Sequence, residues 1–206
     1  MNKFSKKTYG FTLVELMVTI AIAAILMMVA VPSYTDFIKR NTVESLQSRL
    51  SAAVVTARTE AASRNVTTTL CASNNGTSCT GATTWSGGWI VFADVNADQT
   101  VTAAVDTVIL VYLQPSADYP VMFRNDAAAA VAGISFANLG FTRGSVRAFA
   151  TLCEPKKDVK YARGLTIERS GRVMKSSDSA DTGTTHDIVF DTGTAVAPTP
   201  VDITCP

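Results

Sequence analysis

The chain has 206 residues, and its 18 Lys and Arg nearly balance its 17 Asp and Glu, for a formal net charge of +1. This balance argues against a strongly basic nucleic-acid protein and against an acidic disordered chain. The length suits one domain with an appendage. A single His and four Cys leave little material for a metal site or a His-based catalytic centre.

The charges are unevenly distributed along the chain. The first ten residues carry three Lys and no acid, and residues 11–31 carry Glu15 alone. Residues 143–175 hold nine basic residues against three acidic ones, whereas residues 91–126 and 176–206 are rich in Asp. The net charge is therefore a cancellation between patches, and it leaves room for one local anion-binding face.

An apolar stretch of 21 residues, 11–31, follows the basic leader. A helix of about 20 apolar residues spans a bilayer core, with basic residues at its cytoplasmic end. A secretory signal is the rival interpretation, and it fits poorly because no A-x-A-like site follows. An acid inside a span costs ~2.5–3.5 kcal/mol, so Glu15 is a functional candidate, with a tolerated interfacial charge as the alternative.

The leader is followed by the motif Gly10-Phe11-Thr12-Leu13-Val14-Glu15-Leu16. This motif resembles the prepilin signal of type IV pilins and type II secretion pseudopilins, and Pro32 also matches that family's pattern. The resemblance implies cleavage after Gly10 by a prepilin peptidase and N-methylation of Phe11. It further implies that Glu15 neutralises the terminal amine of a neighbouring Phe11 during assembly.

A helical pattern continues beyond Pro32 to residue 64. An apolar stripe at i, i+3 and i+4 spacing is formed by Val43, Leu46, Leu50, Ala53, Val54, Ala57 and Ala61. The spacing predicts one long helix over 11–64, with Pro32 as the position where a bend would fall. A solitary coiled coil is the alternative, and the unsustained heptads disfavour it. The predicted organisation is a cleaved leader (1–10), a transmembrane assembly helix (11–31), an amphipathic helix (32–64) and a β-rich periplasmic head (65–206).

The rest of the chain has the pattern of short strands separated by Gly, Asn, Asp, Ser or Pro. A helix followed by a run of strands predicts an α+β fold, pilin-like, with the helix packed on a β-rich C-terminal head. The predicted strands are Val66–Ala72, Trp89–Ala93, Val108–Leu113, Val121–Arg124, Ile134–Phe136, Ser145–Cys153, Arg163–Glu168, Arg172–Met174 and Asp187–Phe190.

All four Cys follow the apolar stretch, and an oxidising periplasm would favour two disulfides. Three pairings are available to four Cys. We favour Cys71–Cys79 around a polar loop, and Cys153–Cys205 tying down the C-terminal tail. A zinc site is disfavoured because no C-x₂₋₄-C pair occurs.

A second motif runs from Trp85 to Asp98. It resembles the W-x-x-G-W-x-x-F-x-D-x-N-x-D signature of the GspH/FimT branch of minor pilins and pseudopilins, through Trp85, Gly88, Trp89, Phe92, Asp94, Asn96 and Asp98. Its last three members also resemble a calcium loop, but Gln99 and Val105 stand where an EF-hand needs Gly and Glu. A polar turn between two strands is the favoured interpretation, and no metal is predicted.

The basic segment 163–175 has the pattern of a strand, a tight Ser-Gly turn and a second strand. FimT-like proteins of natural transformation carry a G-R-x-R element that is linked to DNA binding, and Gly171-Arg172-Val173-Met174-Lys175 is similar but lacks the second Arg. Lys and Arg side chains on phosphates would give sequence-independent, salt-sensitive affinity. The DNA-binding candidates are Arg163, Arg169, Arg172 and Lys175, and a solvated or acid-paired face is the alternative.

No G-x-S-x-G element, phosphate loop or metal-ligand cluster occurs, and His186 has only Asp187 beside it. We therefore predict no enzymatic activity and no cofactor. The sequence predicts a minor pilin or pseudopilin that is inserted in the inner membrane, processed, and built into or priming a type IV pilus or a type II secretion pseudopilus. Other pilins or pseudopilins, the prepilin peptidase and the inner membrane are the expected partners.

Two alternatives remain open at this point. One is a DNA-binding receptor at a pilus tip, with double-stranded DNA as a further partner. The other is the pseudopilin H of a type II secretion system, without DNA binding.

Overall fold

A computed structural model describes residues 10–114, 118–127, 129–156, 158–176, 187–188, 201–202 and 205. The chain divides into two compact units, Met1–Arg40 and Asn41–Pro206. The boundaries that the sequence suggests after residues 10, 31 and 64 stay a prediction. Residues 1–9 of the predicted leader, His186, and the last two residues of the predicted strand Asp187–Phe190 lie outside the described residues.

Helix α1 runs from Leu13 to Arg64 without interruption at Pro32. Thr12 precedes it, and its hydroxyl accepts a hydrogen bond from the backbone N–H of Glu15 at 3.2 Å, which satisfies one of the orphan donors of the first turn. The observed helix therefore begins two residues later than the predicted helix 11–64, and Phe11 and Thr12 precede its first turn.

The unit from Asn41 onward contains two four-stranded antiparallel sheets. The first has the order β3-β2-β1-β5 and the second the order β4-β6-β7-β8. A third, two-stranded sheet pairs β9 with β10. The strands are β1 Thr68–Ala72, β2 Gly88–Ala93, β3 Thr107–Leu113, β4 Val121–Asn125, β5 Gly133–Phe136, β6 Ala148–Leu152, β7 Arg163–Ile167, β8 Val173–Ser176, β9 Asp187–Ile188 and β10 Val201–Asp202.

The predicted apolar stripe of α1 forms one side of the main core. All seven of its residues are at most 4% exposed, and they belong to one cluster with the inner faces of both sheets. That cluster includes Trp85, Trp89, Phe123 and Phe136. The structure confirms the predicted α+β fold, with the helix packed on an antiparallel β head.

Strand β2 is buried on both faces, because its sequence is almost continuously apolar. Trp89 and Val91 lie in the main core, whereas Ile90 and Phe92 pack with Cys71 in a second cluster on the outer face of the sheet. The loop that the Cys71–Cys79 disulfide closes lies on this side, as Cys79 packs against the same cluster. The disulfide therefore belongs to a small outer core.

The second disulfide joins Cys153 to Cys205 across 52 residues. Cys153 follows β6 and is fully buried with Ala162. Closing a chain segment of this length restricts the unfolded ensemble and stabilises the folded one. The structure thus contains both cysteine pairs that we favoured from the sequence.

The strands β1–β8 differ from their predicted bounds at one end or both, by up to three residues. The predicted strand Ser145–Cys153 begins three residues later, because Arg143–Ser145 forms a short 3-10 turn before β6. The short strand β10 has no predicted counterpart, since two residues of a Pro-flanked tail give no detectable periodicity.

The core position Leu50 gives a stability test. Leu50→Ala removes a fully buried side chain and leaves a cavity, so we expect the free energy of unfolding to fall by about 2–5 kcal/mol. Val55 lies on the same helix but is 48% exposed, so Val55→Ala is expected to change the free energy of unfolding by at most about 0.5 kcal/mol. Denaturant unfolding of the full chain in detergent measures both, and equal losses would contradict the described packing.

Candidate functional site

The first candidate site is the apolar surface that runs from Phe11 to Val31. Within the described residues α1 holds one segment long and apolar enough to cross a bilayer, and none of that segment is buried. Phe11 is 79% exposed and Leu13 74%. A surface that is apolar around the whole helix requires a membrane or other helices to cover it.

Glu15 is the single charged residue between positions 11 and 35. Its side chain is exposed, and its carboxylate has no hydrogen-bond or ion-pair partner in the part of the chain that the structure describes. Phe11 lies four residues earlier and precedes the helix. A carboxylate without a partner on an apolar surface is suited to pair with a cation from another molecule.

The second candidate site is the hairpin formed by β7 and β8, which carries the four predicted DNA-binding cations. Arg163 is only 12% exposed, and its guanidinium pairs with the Glu44 carboxylate of α1 at 2.8 Å. Lys175 Nζ donates to the Ser48 hydroxyl at 3.2 Å. These two cations therefore connect the hairpin to the helix.

A buried amide strengthens the same connection. Gln47 is 6% exposed, and its Nε2 donates to the Gly164 carbonyl oxygen at 2.6 Å. The three helix residues Glu44, Gln47 and Ser48 span little more than one turn, so they face the hairpin together. Gln47 was not among the residues predicted from the sequence, although a polar residue between the stripe positions Leu46 and Leu50 was a detectable signal.

The other two candidate cations lie at the opposite end of the hairpin. Arg169 pairs with Asp126 at 2.8 Å and stays 62% exposed. Arg172 is exposed, and its guanidinium has no partner among the described residues. The structure therefore distributes the four cations between two ends of the hairpin and does not gather them into one free cluster.

Gly171, which begins the motif similar to G-R-x-R, has a structural reason to be Gly. Its φ is +75°, and an added Cβ would lie 2.1 Å from the Gly140 carbonyl oxygen and 3.0 Å from Arg58 Cδ. Two backbone hydrogen bonds of 2.8 Å close the tight turn 168–172. The Glu168 N–H donates to the Arg172 carbonyl oxygen, and the Gly171 N–H donates to the Glu168 carbonyl oxygen. Gly at this position therefore lets the turn approach a neighbouring loop and the helix.

The aromatic members of the second motif are core residues. Trp85, Trp89 and Phe92 are fully buried, and the Trp85 indole N–H donates to the Val131 carbonyl at 3.3 Å. Gly88 has φ +120°, and an added Cβ would lie 2.1 Å from the Tyr112 carbonyl oxygen. These residues stabilise the pairing and packing of β2.

Asp94 organises the loop that follows β2. It is fully buried, and its two oxygens accept from the backbone N–H groups of Asp98 and Gln99, both at 3.1 Å, and from the Thr69 hydroxyl at 2.6 Å. Asn96 donates to Asp98 at 2.8 Å. The carboxylates are thus bonded to donors in a polar turn, and they do not converge on a common point.

Asp106 closes the same loop and was missed from the sequence. It is 8% exposed, and its oxygens accept from the backbone N–H groups of Val95 at 3.0 Å and Thr102 at 2.8 Å. Within the described residues no group of His, Cys, Asp or Glu is placed to hold a metal ion.

Two family models match the chain. The model described as type II transport protein GspH matches residues 47–171, more than half of the chain. The model of the prokaryotic N-terminal methylation motif matches residues 5–31. No curated protein matches the chain in a sequence comparison.

Two crystal forms of the type IV minor pilin FimU of Pseudomonas aeruginosa resemble the structure. One is 19% identical, with 70% of this chain and 95% of the FimU chain covered at a TM-score of 0.53. The other is 18% identical, with 66% and 94% covered at a TM-score of 0.50. At these identities the likeness shows a shared fold.

Gly171→Ala tests the structural role of the turn. Gly81 is the matched control, because its φ of +69° is similar but no heavy atom lies within 4 Å of an added Cβ. Each Ala substitution is expected to lower the free energy of unfolding by about 1–2 kcal/mol, because Ala is disfavoured in the left-handed backbone conformation. Gly171→Ala is expected to lower it by about 1–3 kcal/mol more, because the added Cβ overpacks the site. Equal unfolding free energies for the two variants would show that Gly140 does not restrict this site.

Proposed function

The chain belongs to the GspH family of type II transport proteins, the branch of minor pilins and pseudopilins, and we propose that it is built as a minor subunit into a pilus or secretion pseudopilus. It is a structural subunit and not an enzyme. The N-terminal methylation motif implies processing by a prepilin peptidase and assembly with other pilins. This confirms the family that the two sequence motifs indicated.

One observation carries the proposal: among the described residues, α1 between Leu13 and Val31 is apolar all round and carries a single carboxylate, Glu15, which has no partner. In the inner membrane lipid covers this surface before assembly. In the filament, equivalent helices replace the lipid. Each apolar side chain then stays out of water in both states, so the helix moves between them without losing apolar burial.

Cleavage after Gly10 leaves Phe11 with a terminal amine. We propose that Glu15 of one subunit pairs with the Phe11 amine of its neighbour, with Pro32 as a further assembly position. A carboxylate surrounded by apolar groups is strongly disfavoured unless it is paired. The pair therefore fixes the axial register of neighbouring helices.

The head, residues 41–206, is proposed to lie in the periplasm. Two disulfides support this placement, because such bonds persist in oxidising compartments. The three Lys of the leader would then stay cytoplasmic.

Glu15→Gln tests the assembly role. Its head folds and its leader is cleaved as in wild type, because position 15 lies outside both the head core and the cleavage bond. We expect the amount recovered in sheared filaments to fall at least about tenfold, since an unpaired amine in an apolar interface costs more than 1.4 kcal/mol.

Glu60→Gln is the matched control. Glu60 lies on the part of α1 that packs in the head, and its half-buried carboxylate pairs with Arg64. This variant should be processed and incorporated normally. Mass spectrometry of the N-terminus and immunoblots of the filament fraction supply the two readouts. Normal incorporation of Glu15→Gln would reject the proposed helix pairing.

DNA capture is a second proposal, favoured by the exposed guanidinium of Arg172. Arg169 would be available at low cost, because an exposed ion pair such as Arg169–Asp126 contributes only about 0–1 kcal/mol. Arg163 would contribute least, since its 12% exposed side chain is held by Glu44. Lys175 is exposed, and a neutral 3.2 Å contact with the Ser48 hydroxyl holds it less firmly than a carboxylate holds Arg163. Arg172, Arg169 and Lys175 are therefore the groups that we propose to reach phosphates.

A gel shift of the full mature chain with double-stranded DNA, at several salt concentrations, tests this second role. If the role is correct, the affinity falls steeply with salt, and Arg172→Ala/Lys175→Ala reduces the log–log slope by about 2. Lys156→Ala is a control exposed cation outside the hairpin. Absent or salt-independent binding would reject DNA capture, and an unchanged slope would reject these two residues as the site.

The phenotype of a gene deletion in the host distinguishes a type IV pilus subunit from a type II secretion pseudopilin. Deletion of the gene should abolish surface pili if the subunit primes a type IV pilus, and should abolish export of secreted enzymes if it belongs to a type II secretion pseudopilus.

A further inference from the structure

A cavity of about 150 Å³ lies in the head between the end of the first sheet and the start of β6. Its floor contains the buried residues Ile134, Ser135 and Ala148, and its rim contains Asn125, Arg143 and Val146. We call this cavity the socket. Neither the proposed helix pairing nor the basic hairpin uses it.

One wall of the socket is built by the loop that Asp94 organises. Ala97 and Gln99 both have positive φ, at 59° and 63°, which is costly for residues with a Cβ. The Asp94 carboxylate holds this conformation through the N–H groups of Asp98 and Gln99. Conformations of this kind persist where the surrounding structure imposes them, and they concentrate at functional sites.

The strained loop places two groups on the socket. The Gln99 amide donates to the Ser135 hydroxyl at 3.1 Å, which fixes the wall. The Ala97 carbonyl oxygen accepts a hydrogen bond from Arg143 Nη1 at 2.5 Å, which fixes the guanidinium at the rim. The other N–H groups of this guanidinium are then available to donate to a ligand. The D-x-N-x-D part of the family motif thus positions a cation beside an apolar cavity.

The chemistry of the socket defines its ligand. Asn125 Oδ1 already accepts from the N–H groups of Ala127 and Ala129, so its amide nitrogen is left as a donor. Among the residues that the structure describes, no acidic side chain lines the cavity. An apolar cavity of about 150 Å³ is large enough for a six-carbon ring. The socket therefore suits a Leu- or Phe-sized side chain that is accompanied by a carboxylate.

We propose that the socket receives an apolar side chain and an adjacent carboxylate from the head of a neighbouring pilin in the filament. Two large apolar residues next to the rim in sequence, Leu139 at 74% and Phe141 at 53% exposure, lie on the same loop as Arg143 and Val146. A small molecule in the socket would leave them uncovered, whereas a neighbouring head covers them too. This inference rests on the proposed assembly function.

Photo-crosslinking and plug variants in the native host test the socket. With p-benzoylphenylalanine in place of Phe141, we expect a crosslink to another pilin in the filament fraction. In place of Leu113, 45% exposed at the far end of β3, it should give none. Val146→Trp, which fills the rim, should reduce incorporation by about tenfold or more, as expected for a buried anchor, and Leu113→Trp should not.

Arg143 provides the charge test. Arg143→Glu should reduce incorporation as strongly as Val146→Trp, and Arg143→Lys should restore most of it. Thermal melts of each purified full chain report folding, and the crosslink at Phe141 does not depend on any rim variant. An uncrosslinked Phe141 position together with normal incorporation of Val146→Trp overturns the socket.

The failure of this inference differs from failure of the assembly function. If Glu15→Gln is lost from filaments while the Val146 and Arg143 variants are incorporated, the socket alone is wrong. If Glu15→Gln is incorporated normally, the proposed helix pairing is wrong. A crosslink from Phe141 to DNA or to a protein that is not a pilin also overturns the socket proposal.

Discussion

Burial of one stripe of α1 is the constraint on which the head depends. The seven stripe residues between Val43 and Ala61 contact the inner faces of both sheets, so a single helix supplies the common surface on which two separate sheets are organised. Without it, each four-stranded antiparallel sheet would expose its apolar face to water. The same helix carries an apolar surface on its first part that the described chain does not cover. One element therefore stabilises the head and presents the surface for assembly.

Polar contacts fix how the head sits on this stripe. Glu44, Gln47 and Ser48 bind the β7–β8 hairpin near one end, and Arg58 lies against Gly140 and Gly171 further along the helix. An apolar interface alone tolerates sliding, whereas buried hydrogen bonds have defined partners and directions. Cations that resemble a ligand-binding cluster in the sequence thus serve in part as structural contacts, which separates the roles of Arg163 and Arg172.

Much of the fold was predictable from local patterns. The 3.6-residue period of the stripe, the apolar stretch 11–31 and the short β-branched runs each depend on neighbouring residues, and the helix and most strands occur where they were predicted. The disulfide Cys71–Cys79 was favoured because the short polar loop 73–78 lies between the two thiols. The late start of β6 was not predictable, because residues 145–147 are compatible with a strand, whereas β6 begins only at Ala148, after the 3-10 turn Arg143–Ser145.

Local patterns were sufficient to indicate the family, the long helix, the α+β class and the candidate acid of the assembly surface. Motif, period and composition are local properties, so they can be read without the fold. The pairing of the cations and the lining of the socket depend on the folded arrangement of the chain. Arg163 and Glu44 are 119 residues apart, and Arg143 and Ala97 are 46 apart. Contacts of such separation depend on how the sheets pack against α1, and no local pattern encodes them.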